Sequence, residues 1–432
     1  MLTSPNDVGA AMRSFILCCS FSLLLSSTAC AQHVLGVPAD FRSIQSAIDA
    51  AAAGDTVLVE PGVYRERIAF RGRALLLLSR GGPSQTVIDG GASGTVVTFQ
   101  QGEGNDAVLD GFTITGGSHP RDAGGIHAYG ASPTLRNNIV RDNIGGRRGH
   151  GISLVLSTHA RVQDNQIRNN QSWPDGNGAG GGGGIGVEGA GAVEIRGNRI
   201  EANHVRRYSS GGGINLVNSG STRIIGNRIE GNRARLSGAG IAIYGKSNAR
   251  IENNLIVENR LLEPGHGGGV QWLLTIGAPG PELIGNTIVD NHAQAGAGVY
   301  ADGEDAQARI TNNLVVAPAG MSAIECGDYA DLSAPIVRHN NAVSDVAAFA
   351  GLCGPMPADG RHGNRSLMPQ FADGSWRLAP GSPGIDAGDG TAAHELVDLD
   401  GQARVADGDG DGPALIDIGA LETRTPGKPG LD

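Results

Sequence analysis

Asparagine recurs on a near-fixed beat through the middle of this 432-residue chain, and that beat limits what it can fold into. The pattern is Asn-x-Ile-x-x-Asn or close to it. It begins at Asn138, Asn165, Asn198, Asn227, Asn254 and Asn286, with a degenerate copy at Asn313, in steps of 27, 33, 29, 27, 32 and 27 residues. A second mark runs in phase with the first. Glycine pairs, adjacent or split by one residue, precede Ile126, Ile152, Ile185, Ile214, Ile241, Val270 and Val299, each 12 to 16 residues ahead of its asparagine. Two marks held in phase at this period signal stacked repeats.

Each unit carries short apolar segments such as Ile214–Val217 and Ile241–Tyr244 between glycine-rich turns, too short for a helix-containing repeat. Three short strands and three turns per unit predict one coil of a parallel β-helix, an all-β fold. Coils then stack at about 4.8 Å, inward Ile and Val resting on their equivalents above and below. Asparagine tolerates left-handed backbone, and its side chain can hydrogen-bond the next coil. The asparagine column therefore reads as a structural ladder, not a substrate site. Composition agrees: 70 glycines without a triplet period exclude collagen, and 4% aromatics leave a core of Ile, Val, Leu and Ala.

Five segments follow. Residues 1–31 read as a signal peptide: Phe15 to Leu25 is apolar behind Arg13 and too short to span a bilayer, and Ala29-Cys30-Ala31 is a cleavage site. Lipid on Cys30 is the alternative, with Ser27 where a leucine is expected. Residues 32–90 hold the cap and first coils, with Ser43 capping a short helix whose apolar face is Ile44, Ala47, Ile48 and Ala51. That helix plugs the open end of the first coil. Residues 91–316 are the repeats. Residues 317–372 are expected to be irregular cover holding Cys326 and Cys353, which in an exported chain pair as a disulfide. Residues 373–432 form a Gly/Asp-rich tail. No other segment reads as a membrane span, and the protein is expected to be secreted, periplasmic or on the outer surface, and monomeric.

A solenoid has no cleft dictated by its fold, so function is read from side chains. The net charge of −10 is unevenly spread: 131–260 holds 17 basic and 9 acidic residues, 385–432 holds 3 and 11. Acidity and export argue against nucleic acid as a partner. The segments that follow each second asparagine should stack on one side of the solenoid. They carry Arg147, Arg148 and His150; Trp173 and Asp175; His204, Arg206, Arg207 and Tyr208; Arg233 and Arg235; Arg260, Glu263 and His266; then His292. Guanidinium grips carboxylate or sulfate in a two-pronged fashion, and aromatic faces pack on sugar rings. The ridge predicts binding of an acidic polysaccharide or cell-surface glycan, with lyase-type cleavage as an extension and no catalytic residue assigned. The alternative is a non-catalytic surface, adhesion or structural protein. With two lysines, Lys246 and Lys428, among 33 basic residues, arginine preference also reflects genome composition.

Two local motifs bear on chemistry. Gly149-His150-Gly151-Ile152-Ser153 is similar to a polygalacturonase run, but the paired aspartates and Arg-Ile-Lys of those enzymes are absent, and the run falls on the Gly-x-Gly-Ile beat of the other coils. Asp407-Gly408-Asp409-Gly410-Asp411-Gly412 suits calcium, with Asp417 as a fourth ligand, although the glutamate of a calcium-binding loop is missing.

Ala53-Gly54-Asp55-Thr56-Val57, then Pro61-Gly62-Val63-Tyr64-Arg65-Glu66, resembles the opening of secreted bacterial right-handed parallel β-helix proteins of the pectin-lyase-like superfamily. Ser382-Pro383-Gly384-Ile385-Asp386-Ala387-Gly388, Asp398-Leu399-Asp400-Gly401, Arg404 and Asp417-Ile418-Gly419-Ala420-Leu421-Glu422 resemble the C-terminal motif of choice-of-anchor Q proteins. The resemblance implies right-handed winding and export, and no single activity.

Overall fold

The computed structural model describes residues 32–173, 181–206, 210–304, 307–329, 334–355, 361–372, 374–410 and 412–424. The expected signal peptide lies outside them. From His33 onward the chain winds as a right-handed parallel β-helix with three long sheets. Sheet A has 12 strands, from Val34–Val37 to Ile336–Arg338; sheet B has 11, from Gly62–Tyr64 to Asn341–Val343; sheet C has 11, from Ile68–Ala69 to Phe349–Gly351. Pairing is parallel and in register. In sheet B, Ile167, Ile200, Ile229, Ile256 and Ile288 stand directly one above another. All five are fully buried. A buried Ile contributes about 1.5–3 kcal/mol, so repetition makes a thin core sufficient.

The asparagine column forms as expected at the turn from sheet A to sheet B, and it runs further than the repeats suggested. In each rung the Oδ1 of the next asparagine accepts from both the backbone N–H and the Nδ2 of the one before. Asn198 donates to Asn227 Oδ1 at 2.9 and 3.0 Å, and the chain of bonds continues through Asn340 to Asn364. A second column, Asn143, Asn170, Asn203, Asn232, Asn259 and Asn291, does the same at the end of sheet B. One expectation is corrected. The left-handed residue is the one before each ladder asparagine, as at Asp164 (φ 55°), Asn253 (55°) and Glu258 (58°), which frees the ladder amide to point along the axis.

The glycine pairs have a steric cause. A Cβ on Gly183 would lie 2.2 Å from the carbonyl oxygen of Gly212, and one on Gly213 would lie 2.6 Å from that of Gly240. Coils approach too closely there for any side chain.

At the N-terminal end the helix Ile44–Ala50 covers the first coil, with Ser43 Oγ accepting from Ser46 N–H and Ile44, Ala47, Ile48 and Ala51 buried. Glu66 accepts the exposed N–H groups of Ile44 and Gln45, and Asp55 those of His33 and Ala52, which accounts for two acidic positions of the opening motif. Past residue 316 the sheets go on. Ile324–Cys326, Ile336–Arg338, Asn341–Val343 and Phe349–Gly351 add further strands, where irregular cover was expected. Cys326 and Cys353 are bonded, as expected, with Cα atoms 5.3 Å apart.

The tail turns back along the solenoid. On the outer face of sheet B the residues after each ladder asparagine change from charged (Arg199 and Glu201, Arg228 and Glu230) to uncharged and mostly apolar (Leu255 and Val257, Thr287 and Val289, Leu314 and Val316), with Thr287 Oγ1 accepting from Ala420 N–H of the tail. Phe371, Trp376, Leu378, Ile385, Leu399 and Ile418 cover that apolar half. Inside the tail, Arg404 is buried against Glu422 at 2.9 Å and also donates to Gly419 O. Asp398 accepts from the N–H groups of Asp400, Gln402 and Glu422. The tail motif is thus the polar core of a small docked unit.

Candidate functional site

The segment between sheet B and sheet C begins right after the second asparagine ladder. Its first residues pair from coil to coil: Ile144 with Gln171, Gln171 with His204, His204 with Arg233, Arg233 with Arg260, and Arg260 with His292. Side chains in this register stand one rung, about 4.8 Å, apart. The central part is a column of imidazole, guanidinium, guanidinium, imidazole. Arg233 and Arg260 are both exposed. Like charges at this spacing repel, so the column is a ready anion site. Arg260 Nη2 lies 3.2 Å from His292 Nε2, which in turn lies 3.3 Å from Asp290 Oδ1. Among the described residues, no carboxylate forms an ion pair with Arg233, Arg206 or Arg147.

The opposite edge of the same coils is also basic, but the tail neutralises it. Glu395 grips Arg196 at 2.9 and 3.1 Å and reaches Arg223 at 3.4 Å, and Asp400 meets Arg228 at 2.6 Å. Tail acidity and body basicity, read from sequence as two separate surfaces, meet each other here. Among the described residues, no tail carboxylate reaches Arg233 or Arg260 in this way.

The other ridge residues divide. Arg148 is taken by Glu188 at 2.6 Å and Arg235 by Glu263 at 2.8 Å. Trp173 is half-buried beside the column, its backbone N–H on Gly145 O. Arg207, Tyr208 and Asp175 lie outside the described residues. His204 is held below its ordinary value by burial, then by Arg206 and Arg233. His266 stands in a neighbouring file with Ser237 and Ala295, its ring stacked on Tyr300 at 4.3 Å. His150 is corrected: it is fully buried, neither ring nitrogen has a partner, and burial pushes it down to about 3. Its backbone N–H is held by Gly182 O of the next coil and its side chain is fully buried, so it offers nothing to a surface ligand.

Sequence reasoning missed polar groups on the outer face of sheet C. His127 is buried with Nε2 4.0 Å from Asp122 Oδ1, and burial holds it below its ordinary value. Tyr244, Ser210 and Ser237 close a ring of three hydroxyl contacts at 2.6 to 2.8 Å. The signal was positional: His127 and Tyr244 occupy outward positions of strands whose inward residues are Ile and Ala.

In the tail, ligand atoms of Asp386, Asp407 and Asp409 come within 4.8 Å of one another. Asp386 joins this cluster in place of Asp417, which is buried and accepts from Asp386 and Thr423 N–H instead. Asp411 lies outside the described residues. Asp386 also caps the turn, accepting from Gly408, Asp409 and Leu415 N–H.

Residues 124–315 match the family described as a right handed beta helix region. The crystal structure of the pectate lyase Pel9A is similar with a TM-score of 0.52 at 16% identity, over 91% of this chain and 96% of that one. The PL6 family alginate lyase AlyGC is similar with a TM-score of 0.37 at 13% identity, over 81% of this chain and 55% of that one. No curated protein sequence matches. At such identities the likeness is one of fold.

Proposed function

We propose that this protein binds an acidic polysaccharide along the His204–Arg233–Arg260–His292 column. The observation that carries the reading is the in-register pair of exposed arginines without a carboxylate partner on Arg233, on a body whose other basic edge is neutralised by its own tail. A guanidinium on each successive rung suits a polymer with anionic groups repeated along its length. The pectate lyase named above, similar in fold, acts on a polymer of that class, an analogy of fold alone.

Lyase-type cleavage is the extension: a guanidinium would neutralise the uronate carboxylate while a base removes the adjacent proton. A second reading, a non-catalytic surface or adhesion protein, is favoured by one observation. Among the described residues the column holds no carboxylate beside Arg233 to serve as an acid–base partner. Incubation with polygalacturonate, polymannuronate and polyguluronate at low salt separates the readings. Binding with rising ultraviolet absorbance from unsaturated ends supports cleavage, binding without it supports the non-catalytic reading, and no binding to any of the three removes both the column and its partner.

Export belongs to the same proposal, with 1–31 as a cleaved signal and lipid on Cys30 as the alternative. Mass spectrometry of the mature N-terminus from an exporting host distinguishes them. Among the described residues no helix is long and apolar enough to cross a membrane. We also propose that the protein works as a monomer, which light scattering tests.

A further inference from the structure

The in-register column ends at His292, and a turn takes the place of its next rung. Asn313 follows Asn286 by 27 residues, and the position 27 after Asn291 is Pro318. Proline has no N–H to give a ladder, and its ring ends the in-register run. The chain makes a turn instead, with Met321 N–H on Pro318 O, and Gly320 N–H is held by Asp345 Oδ1 at 2.8 Å. Gly320 and Met321 line an open depression of about 390 Å³ together with Arg260 and His292. Its floor is apolar: Leu261 and Ala293 line it and belong to a buried aliphatic cluster with Ala234 and Ala239. Three carboxylates at its edge are already engaged, Glu263 with Arg235 at 2.8 Å, Asp290 with His292 at 3.3 Å and Asp345 with Gly320 N–H at 2.8 Å, and Arg260 is the arginine among the lining residues. The volume is at the small end for ligand sites. A floor of this kind suits the apolar face of a sugar ring, and the guanidinium suits a carboxylate on it.

We propose that this cavity holds the terminal residue of an anionic glycan chain, so that the protein engages chain ends and not chain interiors. The inference rests on the binding reading above and adds to it a direction. The rest of the chain lies back along Arg233 and His204, away from the Pro318 turn. An interior segment would have to continue through Gly320 and Met321.

Competition by sized fractions of one bound polyuronate tests this, all fractions being longer than the column. If ends are bound, chains about tenfold shorter compete about tenfold better at equal sugar mass, because potency follows the number of ends and not the number of residues. Gln294→Trp, on the exposed rim of the cavity, should weaken binding at least about fivefold, and Arg260→Ala likewise, each with an unchanged melting temperature. Potency independent of chain length, or a Gln294→Trp variant that binds as well as the parent, overturns chain-end engagement while leaving binding itself intact. Failure of every fraction to compete, long or short, is a different result and overturns the binding reading along with this one.

Discussion

Glu395 and Arg196 are 199 residues apart in the chain and form a two-pronged ion pair at 2.9 and 3.1 Å. The pair joins the tail to the body at the rungs where the outer face of sheet B is still charged. Its hydrogen bond to Arg196 holds the Glu395 carboxyl below the ordinary carboxylate range, against the opposing effect of burial. A carboxyl with a lowered folded pKa contributes stability that is present above its unfolded value and lost as pH falls through the folded one. The protection of residues 390–400 against hydrogen exchange, taken relative to the intrinsic exchange rate at each pH, should therefore fall on acidification below the ordinary glutamate range. Glu395→Gln should lose about 1 kcal/mol of local protection at neutral pH and show a flatter acid limb. Buried Glu422 acts in the opposite sense, since burial pushes it up to about 9, so the local readout is preferred to a global melt.

The asparagine ladder should be costly to interrupt. Asn227→Ala removes the acceptor of two Asn198 donors and the Nδ2 donor to Ile195 and Ile225 carbonyls, all buried. A loss of about 2–4 kcal/mol is expected, measured by denaturant unfolding. A change below 1 kcal/mol would mean that water replaces the amide.

Left-handed positions next to the ladder carry the opposite expectation. Glu258 is exposed with φ 58°. Glu258→Gly should be neutral or stabilising by up to about 1 kcal/mol, although glycine normally weakens regular structure, and Glu258→Val should cost about 1–2 kcal/mol. Equal melting temperatures for the two variants would contradict the assignment.

His150 gives a pH prediction. The unfolded chain takes up a proton below its ordinary value of 6.5, while the buried ring resists until about 3. Stability should fall as pH falls through that window. His150→Phe should flatten this dependence and add about 1 kcal/mol at neutral pH, because neither ring nitrogen has a partner to lose. Polyuronate binding by this variant should be unchanged.

Arg233→Ala should weaken polyuronate binding by roughly 1–2 kcal/mol and reduce its salt dependence without moving the melting temperature. Arg161→Ala, exposed on sheet A and far from the column, serves as the control and should have little effect. An equal loss in both would mean that overall charge is being sensed.

The period by itself determines the fold. Asn138 to Asn313, with the glycine pairs ahead of them, fix where each turn falls, because every coil meets the same hydrogen-bonding and steric demands as the one before. Ser43 and its apolar neighbours gave the plug, and two cysteines gave the disulfide. The site was legible only in part. That Arg233 and Arg260 share a column follows from the beat. That His150 is buried depends on how closely the next coil, whose Gly182 O accepts its N–H, packs against it. That Arg196, Arg223 and Arg228 are neutralised depends on a tail returning from the far end of the chain, a non-local event no period encodes. A trace of it was present in the sequence, where Asn-Arg-Ile-Glu gives way to Asn-Leu-Ile-Val at Asn254 and an outward face becomes apolar. What covers that face, and therefore which cations stay open to a ligand, was decided by packing between residues more than a hundred positions apart.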